Sequence, residues 1–225
     1  MKKQLFHGST QLIEAPQFGK GARTNDYGRG FYCTENEELA KEWACAKNTD
    51  GYVNQYELDL EGLNILNLND GTYSILNWLA LLTENRTYWE KGSISEQAKK
   101  YLHDYFLLDL AGYDIIIGYR ADDSYFSFAQ DFVSNTISMN QLSEAMRLGK
   151  LGEQIVLKSE KSFDQITYVS SEMVARDEYF VKKNARDKAA RREYRKGKTV
   201  GADINDIFML DIMREGMKDG DARLR

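Results

Sequence analysis

Short apolar segments with strand-like alternation give way to helical spacing at defined points along the chain. Residues 2 to 6 predict a strand that ends at His7, where Gly8, Ser9 and Thr10 interrupt the pattern. Residues 15 to 30 hold four glycines, the only proline and Asn25-Asp26, which predicts a long loop. A loop beyond about 12 to 15 residues inside a compact domain is usually functional or disordered. Thr34 with Glu37 three residues on reads as a capping box, opening a helix with Leu39, Trp43 and Ala46 on one face. Residues 52 to 58 alternate as a strand, with Tyr52, Asn54, Tyr56 and Leu58 on one side.

Further on, residues 73 to 85 and 95 to 111 have helical spacing, and the unbroken run at 113 to 119 predicts a central strand. Helices follow over 124 to 133 and 138 to 148, each opened by a serine that can cap orphan amides. Two strands at 154 to 157 and 165 to 169 are joined by a charged turn. Beyond Ser170 the pattern turns helical, with a basic helix to about Lys198 and a final helix over 204 to 217. That last helix gathers Ile204, Ile207, Phe208, Leu210 and Ile212 on a face that needs a partner. The expected division is a domain over 1–170 and a C-terminal helical extension over 171–225.

Composition narrows the class without naming a function. The chain has 225 residues, 42% hydrophobic and 29% charged, which suffices for a sizeable core and excludes collagen-like and disordered classes. Cys33 and Cys45 have no histidine near either, so no metal site or disulfide framework is expected, and a cytoplasmic location is the default. No stretch approaches the ~20 apolar residues of a membrane span, so no membrane association is expected. The formal charge of −5 is uneven, because residues 176 to 198 carry ten Lys or Arg against four Asp or Glu. A solvated helix face is the plain reading of that segment. Its interleaved Tyr179, Phe180 and Tyr194 also suit single-stranded nucleic acid.

Few residues are equipped for chemistry. His103 lies mid-helix and reads as a half-exposed surface histidine, whereas His7 ends a strand just before small residues that let a ligand approach the backbone. Asp122 and Asp123 read as caps of the next helix, with a cofactor or acceptor contact as the alternative, Asp123 being the candidate cofactor-binding residue.

Three pieces stand in order: Leu5-Phe6-His7-Gly8-Ser9, then Tyr27-Gly28-Arg29-Gly30-Phe31-Tyr32, then Trp43. This set resembles the NAD-binding core of the ADP-ribosyltransferase superfamily, in the branch of diphtheria-type toxins and poly(ADP-ribose) polymerases. The resemblance implies an α+β fold, a split antiparallel β-sandwich with inserted helices and a C-terminal helical extension. By the same resemblance His7 bonds the adenosine ribose, Gly8 pairs with the nicotinamide carboxamide and Ser9 supports it. Tyr32 and Trp43 would sandwich the flat nicotinamide ring by offset stacking. Phe31 belongs to the same motif, Gly30 to the loop over the cofactor, and Arg29 or Arg23 would meet the pyrophosphate.

The third catalytic position in that superfamily is a glutamate at the start of a late strand. Here Gly152-Glu153-Gln154-Ile155 offers two candidates, and adjacent strand residues point to opposite faces, so Glu153 and Gln154 cannot both face one cleft. The chain also resembles an uncharacterised bacterial family of the same superfamily over most of residues 4 to 170. The shared pattern is Asp26 to Tyr32, Tyr113 to Gly118, Ala121 to Asp123 and Gln154, and it favours Gln154. The implied activity is transfer of one ADP-ribose from NAD to a macromolecular acceptor, protein or nucleic acid, with NAD as substrate and no metal. A place as toxin beside a small antitoxin protein is a further implication. NAD hydrolysis, or NAD binding without catalysis, are the alternatives.

Overall fold

The computed structural model describes residues 1–87, 89, 91–121, 123–150, 152–201 and 203–224, without the side chains of Asp123 and Val200. Two sheets form the centre. In the first, β1 (Lys2–Ser9) pairs antiparallel with β3 (Gly51–Asp59), and β3 with β7 (Ile166–Val174). The second has the order β2 (Phe31–Cys33), β6 (Glu153–Leu157), β5 (Ile115–Tyr119) and β4 (Ile65–Asn67). It is mixed, because β4 and β5 run parallel while the other pairs are antiparallel. Reciprocal backbone bonds between Phe6 and Thr34, at 2.8 and 2.9 Å, tie the two sheets together beside His7.

The alternation of side chains across the strands explains the layers. Leu5, Tyr56 and Leu58 of the first sheet meet Ile115, Ile117, Ile155 and Leu157 of the second, forming the core between the sheets. Ile116 and Val156, one residue out of phase, join a larger core on the opposite face with α2 (Ile75–Asn85), α3 (Ser93–Phe106), α4 (Asp123–Val133) and α5 (Met139–Ala145). The run of three isoleucines in β5 is apolar throughout because both of its faces are covered. The outer face of the first sheet packs Phe6 and Val53 against Ala40 and Ala44 of α1 (Glu37–Ala44).

Several expected boundaries are corrected. Helix α1 is capped by Asn36, whose side chain accepts from Leu39 N at 3.1 Å, rather than by Thr34. The strands at 154 to 157 and 165 to 169 are not hairpin partners: β6 and β7 lie in different sheets, joined through α6 (Glu160–Asp164). Ser138 does cap α5, reciprocally with Gln141, but Ser124 lies inside α4 and its hydroxyl donates to Asp187. Asp122 and the side chain of Asp123, where a cap or a cofactor contact is expected, lie outside the described residues.

The boundary expected at residue 170 falls within β7. Helix α7 (Arg176–Val200) runs on from there, and α8 spans only Met209–Arg214, with Ile204 fully exposed before it. Ala190, Met209, Ile212, Met217 and Leu224 are buried within the larger core, so the C-terminal quarter is part of the same packed body. Among the described residues, no helix is long and apolar enough to cross a membrane.

Candidate functional site

A cleft of about 670 Å³ opens where the loop after β1 arches over the junction of the two sheets. That size lies within the range of small-molecule and cofactor sites. His7 lies on one wall, Phe31 and Tyr32 on another, Gln154 and Asp26 at depth, and the 11–21 loop forms the cover. The cover is anchored at Ile13, whose N donates to Asn54 Oδ1 at 3.0 Å and whose carbonyl accepts from the Tyr56 hydroxyl.

His7 comes from the inner side of β1. Its Nδ1 lies 2.7 Å from the carbonyl oxygen of Tyr32, and its ring stacks on Phe31 with centroids 4.3 Å apart. Burial holds its pKa below the ordinary histidine value, with the bond to Tyr32 opposing that shift in part.

Tyr32 presents its ring to the cleft but commits its hydroxyl elsewhere. The O–H donates to Gly28 O at 2.6 Å and accepts from Tyr27 N at 3.1 Å, closing the glycine-rich turn, and burial pushes its pKa up. Gly28 sits at φ +71°, where a side chain would be strained and would meet Asn85.

On β6 the two neighbours separate as strand geometry requires. Gln154 is 4% exposed and lines the cleft, on the same face as Tyr32, whose pairing partner Val156 lies two residues on. Glu153 is exposed on the other side, where its Oε1 accepts from Asn69 Nδ2 at 2.8 Å. Gln154 Nε2 donates to Asp26 Oδ2 at 3.2 Å, and its Oε1 is buried with no hydrogen-bond partner among the described residues.

The remaining residues singled out by sequence divide. Gly8 and Ser9 stand outside the cleft lining, and a Cβ at Gly8 would lie 2.0 Å from Ala40 O. The missing side chain at Gly8 therefore lets α1 approach β1. Gly30 does line the cleft, and a Cβ there would collide with Val156 and with Leu157 O. Arg23 and Arg29 are exposed and outside the lining; the cations that line it are Lys20, Arg86 and Arg120. Trp43 is half-buried on α1 behind the cleft, and the Arg120 guanidinium lies over its ring at 3.8 Å from the centroid.

Asp26, Arg86 and Arg120 are not visible as site residues in the sequence. Asp26 is 3% exposed and forms an ion pair with Arg86 at 2.7 Å. The only sequence signal is Asp26 opening the motif that ends at Tyr32, and nothing in the sequence links it to an arginine sixty positions away. Among the described residues, no group of three or more His, Cys, Asp or Glu is placed to hold a metal ion.

Residues 3–168 match a family model described as a protein of unknown function (DUF3990). No curated protein and no solved structure matches the chain.

Proposed function

We propose, from the premise that the chain belongs to the DUF3990 family, that it transfers a single ADP-ribose from NAD to a macromolecular acceptor. The observation that carries this reading is the convergence of His7, Tyr32 and Gln154 on one cleft from three different strands, with Glu153 turned away. Three residues of the set that carries the resemblance thus share one cleft, while Gly8, Ser9 and Trp43 of the same set stand outside its lining.

The donor set suits a dinucleotide. When bound, NAD supplies a glycosidic bond to nicotinamide, a good leaving group. His7, with its proton on Nδ1, offers Nε2 as an acceptor for a ribose hydroxyl. Gln154 Oε1 is a second acceptor that lacks a partner among the described residues, and a buried acceptor of this kind is costly until a donor reaches it. Lys20 and Arg120 supply positive charge for the pyrophosphate in place of Arg23 and Arg29, while Arg86 is committed to Asp26. The face of the Trp43 ring under Arg120 would become open to a ligand after Arg120 moves off it.

An uncharged amide at position 154 stabilises developing positive charge less than a carboxylate does, which fits a single transfer better than chain elongation. It equally favours a second reading, an NAD-binding module without turnover. Cytoplasmic action, and pairing with a small antitoxin protein, belong to the same proposal.

The test is incubation of the protein with NAD labelled in the adenylate phosphate and a whole-cell lysate, followed by separate protease and nuclease digestion. Label on macromolecule with equimolar nicotinamide release supports transfer. Free ADP-ribose alone indicates hydrolysis, bound NAD without nicotinamide release indicates the module, and no NAD binding overturns the proposal.

A further inference from the structure

Four donor contacts converge on the buried carboxylate of Asp26. Its Oδ1 accepts from Arg86 Nε at 2.8 Å and pairs with Arg86 Nη2 at 2.7 Å. Its Oδ2 accepts from Ala121 N at 2.8 Å and from Gln154 Nε2 at 3.2 Å. Arg86 is held in turn by Ala121 O at 2.6 Å, so the carboxylate and its counter-charge are fixed to one backbone position. An ionised carboxylate only accepts hydrogen bonds. The amide of Gln154 must therefore turn its NH2 toward Asp26 and its carbonyl oxygen away, whichever way such an amide would turn alone.

We propose that Asp26 is a positioning residue that orients Gln154 so that a carbonyl oxygen meets the ligand, and that bars a carboxylate from position 154. Gln154 Oε1 is a buried acceptor without a hydrogen-bond partner among the described residues, so the site selects a ligand group that donates, such as a sugar hydroxyl. The identity of that hydroxyl as a ribose of NAD rests on the functional reading above; the orientation of the amide does not.

The second half follows from charge. A glutamate at 154 would put two carboxylates within hydrogen-bond distance, and like charges so placed cannot both ionise at their ordinary pKa. Arg86 is already engaged by Asp26 and Ala121, and the other titratable groups lining the cleft are His7, Glu14, Lys20, Tyr32 and Arg120. The superfamily's usual glutamate is thus incompatible with this particular aspartate, and glutamine is the nearest shape that avoids the conflict.

The experiment is a carbon-13 NMR titration of side-chain carboxyls in Gln154→Glu and in the double variant Asp26→Asn/Gln154→Glu, without any nucleotide. In the single variant, Asp26 and the introduced carboxylate form a pair. The expected result is one carboxyl of that pair titrating roughly a unit or more above the usual range near 4, in a step that belongs to both groups. That step should be absent from the double variant. Ordinary titration of every carboxyl in Gln154→Glu, or an unchanged high step in the double variant, overturns the proposal. If Asp26→Asn proves too unstable, coupling decides in Gln154→Glu: the Asp26 resonance must shift in the same step as the introduced carboxyl, because burial alone would raise the introduced one only, and a step without Asp26 overturns the proposal.

A calorimetric arm measures NAD binding to the wild type, both single variants and the double. Each single change is expected to weaken binding about tenfold, with the double weaker by less than the product of the two. Independent losses overturn the coupling. Failure of the wild type to bind NAD sinks the NAD reading alone, while the titration still decides the role of Asp26.

Discussion

His7 Nδ1 lies 2.7 Å from Tyr32 O, and because a carbonyl can only accept, the imidazole carries its proton on Nδ1. One bond thereby fixes the tautomer, joins β1 to β2 and leaves Nε2 as the ring's acceptor. Protonation of Nε2 would cancel that acceptor and charge a ring stacked on Phe31.

A pH dependence follows, with a definite sign. Burial lowers the native pKa of His7, so between the native and unfolded values the unfolded chain binds more protons and stability rises with pH. The contribution of His7 is therefore present above about pH 6.5, is lost as pH falls below it, and levels off below the native pKa. Thermal unfolding of wild type and His7→Gln between pH 4.5 and 7.5 measures this. Equal slopes for the two proteins would show that His7 is not held neutral.

Gln154→Ala should abolish most nicotinamide release, whereas Glu153→Ala should leave it nearly unchanged. The two side chains lie on opposite faces of β6, one in the cleft and one held by Asn69 outside it. Steady-state release rates for the two variants, with folding checked by circular dichroism, decide between them. A reversed pattern would transfer the role to Glu153.

Arg120 and Trp43 predict opposing effects on ligand binding. If a nicotinamide ring stacks on the indole, Trp43→Ala should weaken NAD binding by about 1 kcal/mol or more. Arg120→Ala removes the group that covers that ring, and it should increase the quenching of tryptophan fluorescence by nicotinamide itself. Unaltered affinity in a folded Trp43→Ala protein would end the stacking role.

Truncation after Ser170 should yield unfolded or aggregated protein rather than a minimal domain. Met209, Ile212, Met217 and Leu224 are buried in the larger core. Burial of such side chains contributes roughly 1.5–3 kcal/mol each, which together rivals the ~5–15 kcal/mol that a whole domain retains. The milder change Ile212→Ala should cost about 2–5 kcal/mol in urea unfolding. A soluble, cooperatively folding 1–170 fragment would refute this dependence.

Periodicity locates most elements because their faces are well separated: β1, β3 and β5, and helices α2 and α5, stand close to where apolar spacing puts them. It does not find β4, whose three residues are too short for a period and whose pairing with β5 is parallel and distant in sequence. Nor can it assign β6 and β7 to separate sheets, because proximity in sequence suggests a hairpin and only the inter-sheet core decides otherwise. Spacing overextends the final helix because Ile204 fits the period yet lies in solvent. At the site, His7, Tyr32 and Gln154 are legible from motif order. Asp26, Arg86 and Arg120 are not, since their roles arise from ion pairing and stacking between segments brought together by folding.

Lys158, the residue just past β6, donates its ammonium to Tyr27 O and to Arg29 O, each at 2.6 Å. Gln154 at the other end of that strand holds Asp26. The glycine-rich turn between Asp26 and Gly30 is therefore clamped at both ends by a single strand, which couples the turn to the strand. The 11–21 cover is tied mainly at Ile13, so beyond that anchor hydrogen–deuterium exchange should find its amides opening more readily than those of the turn.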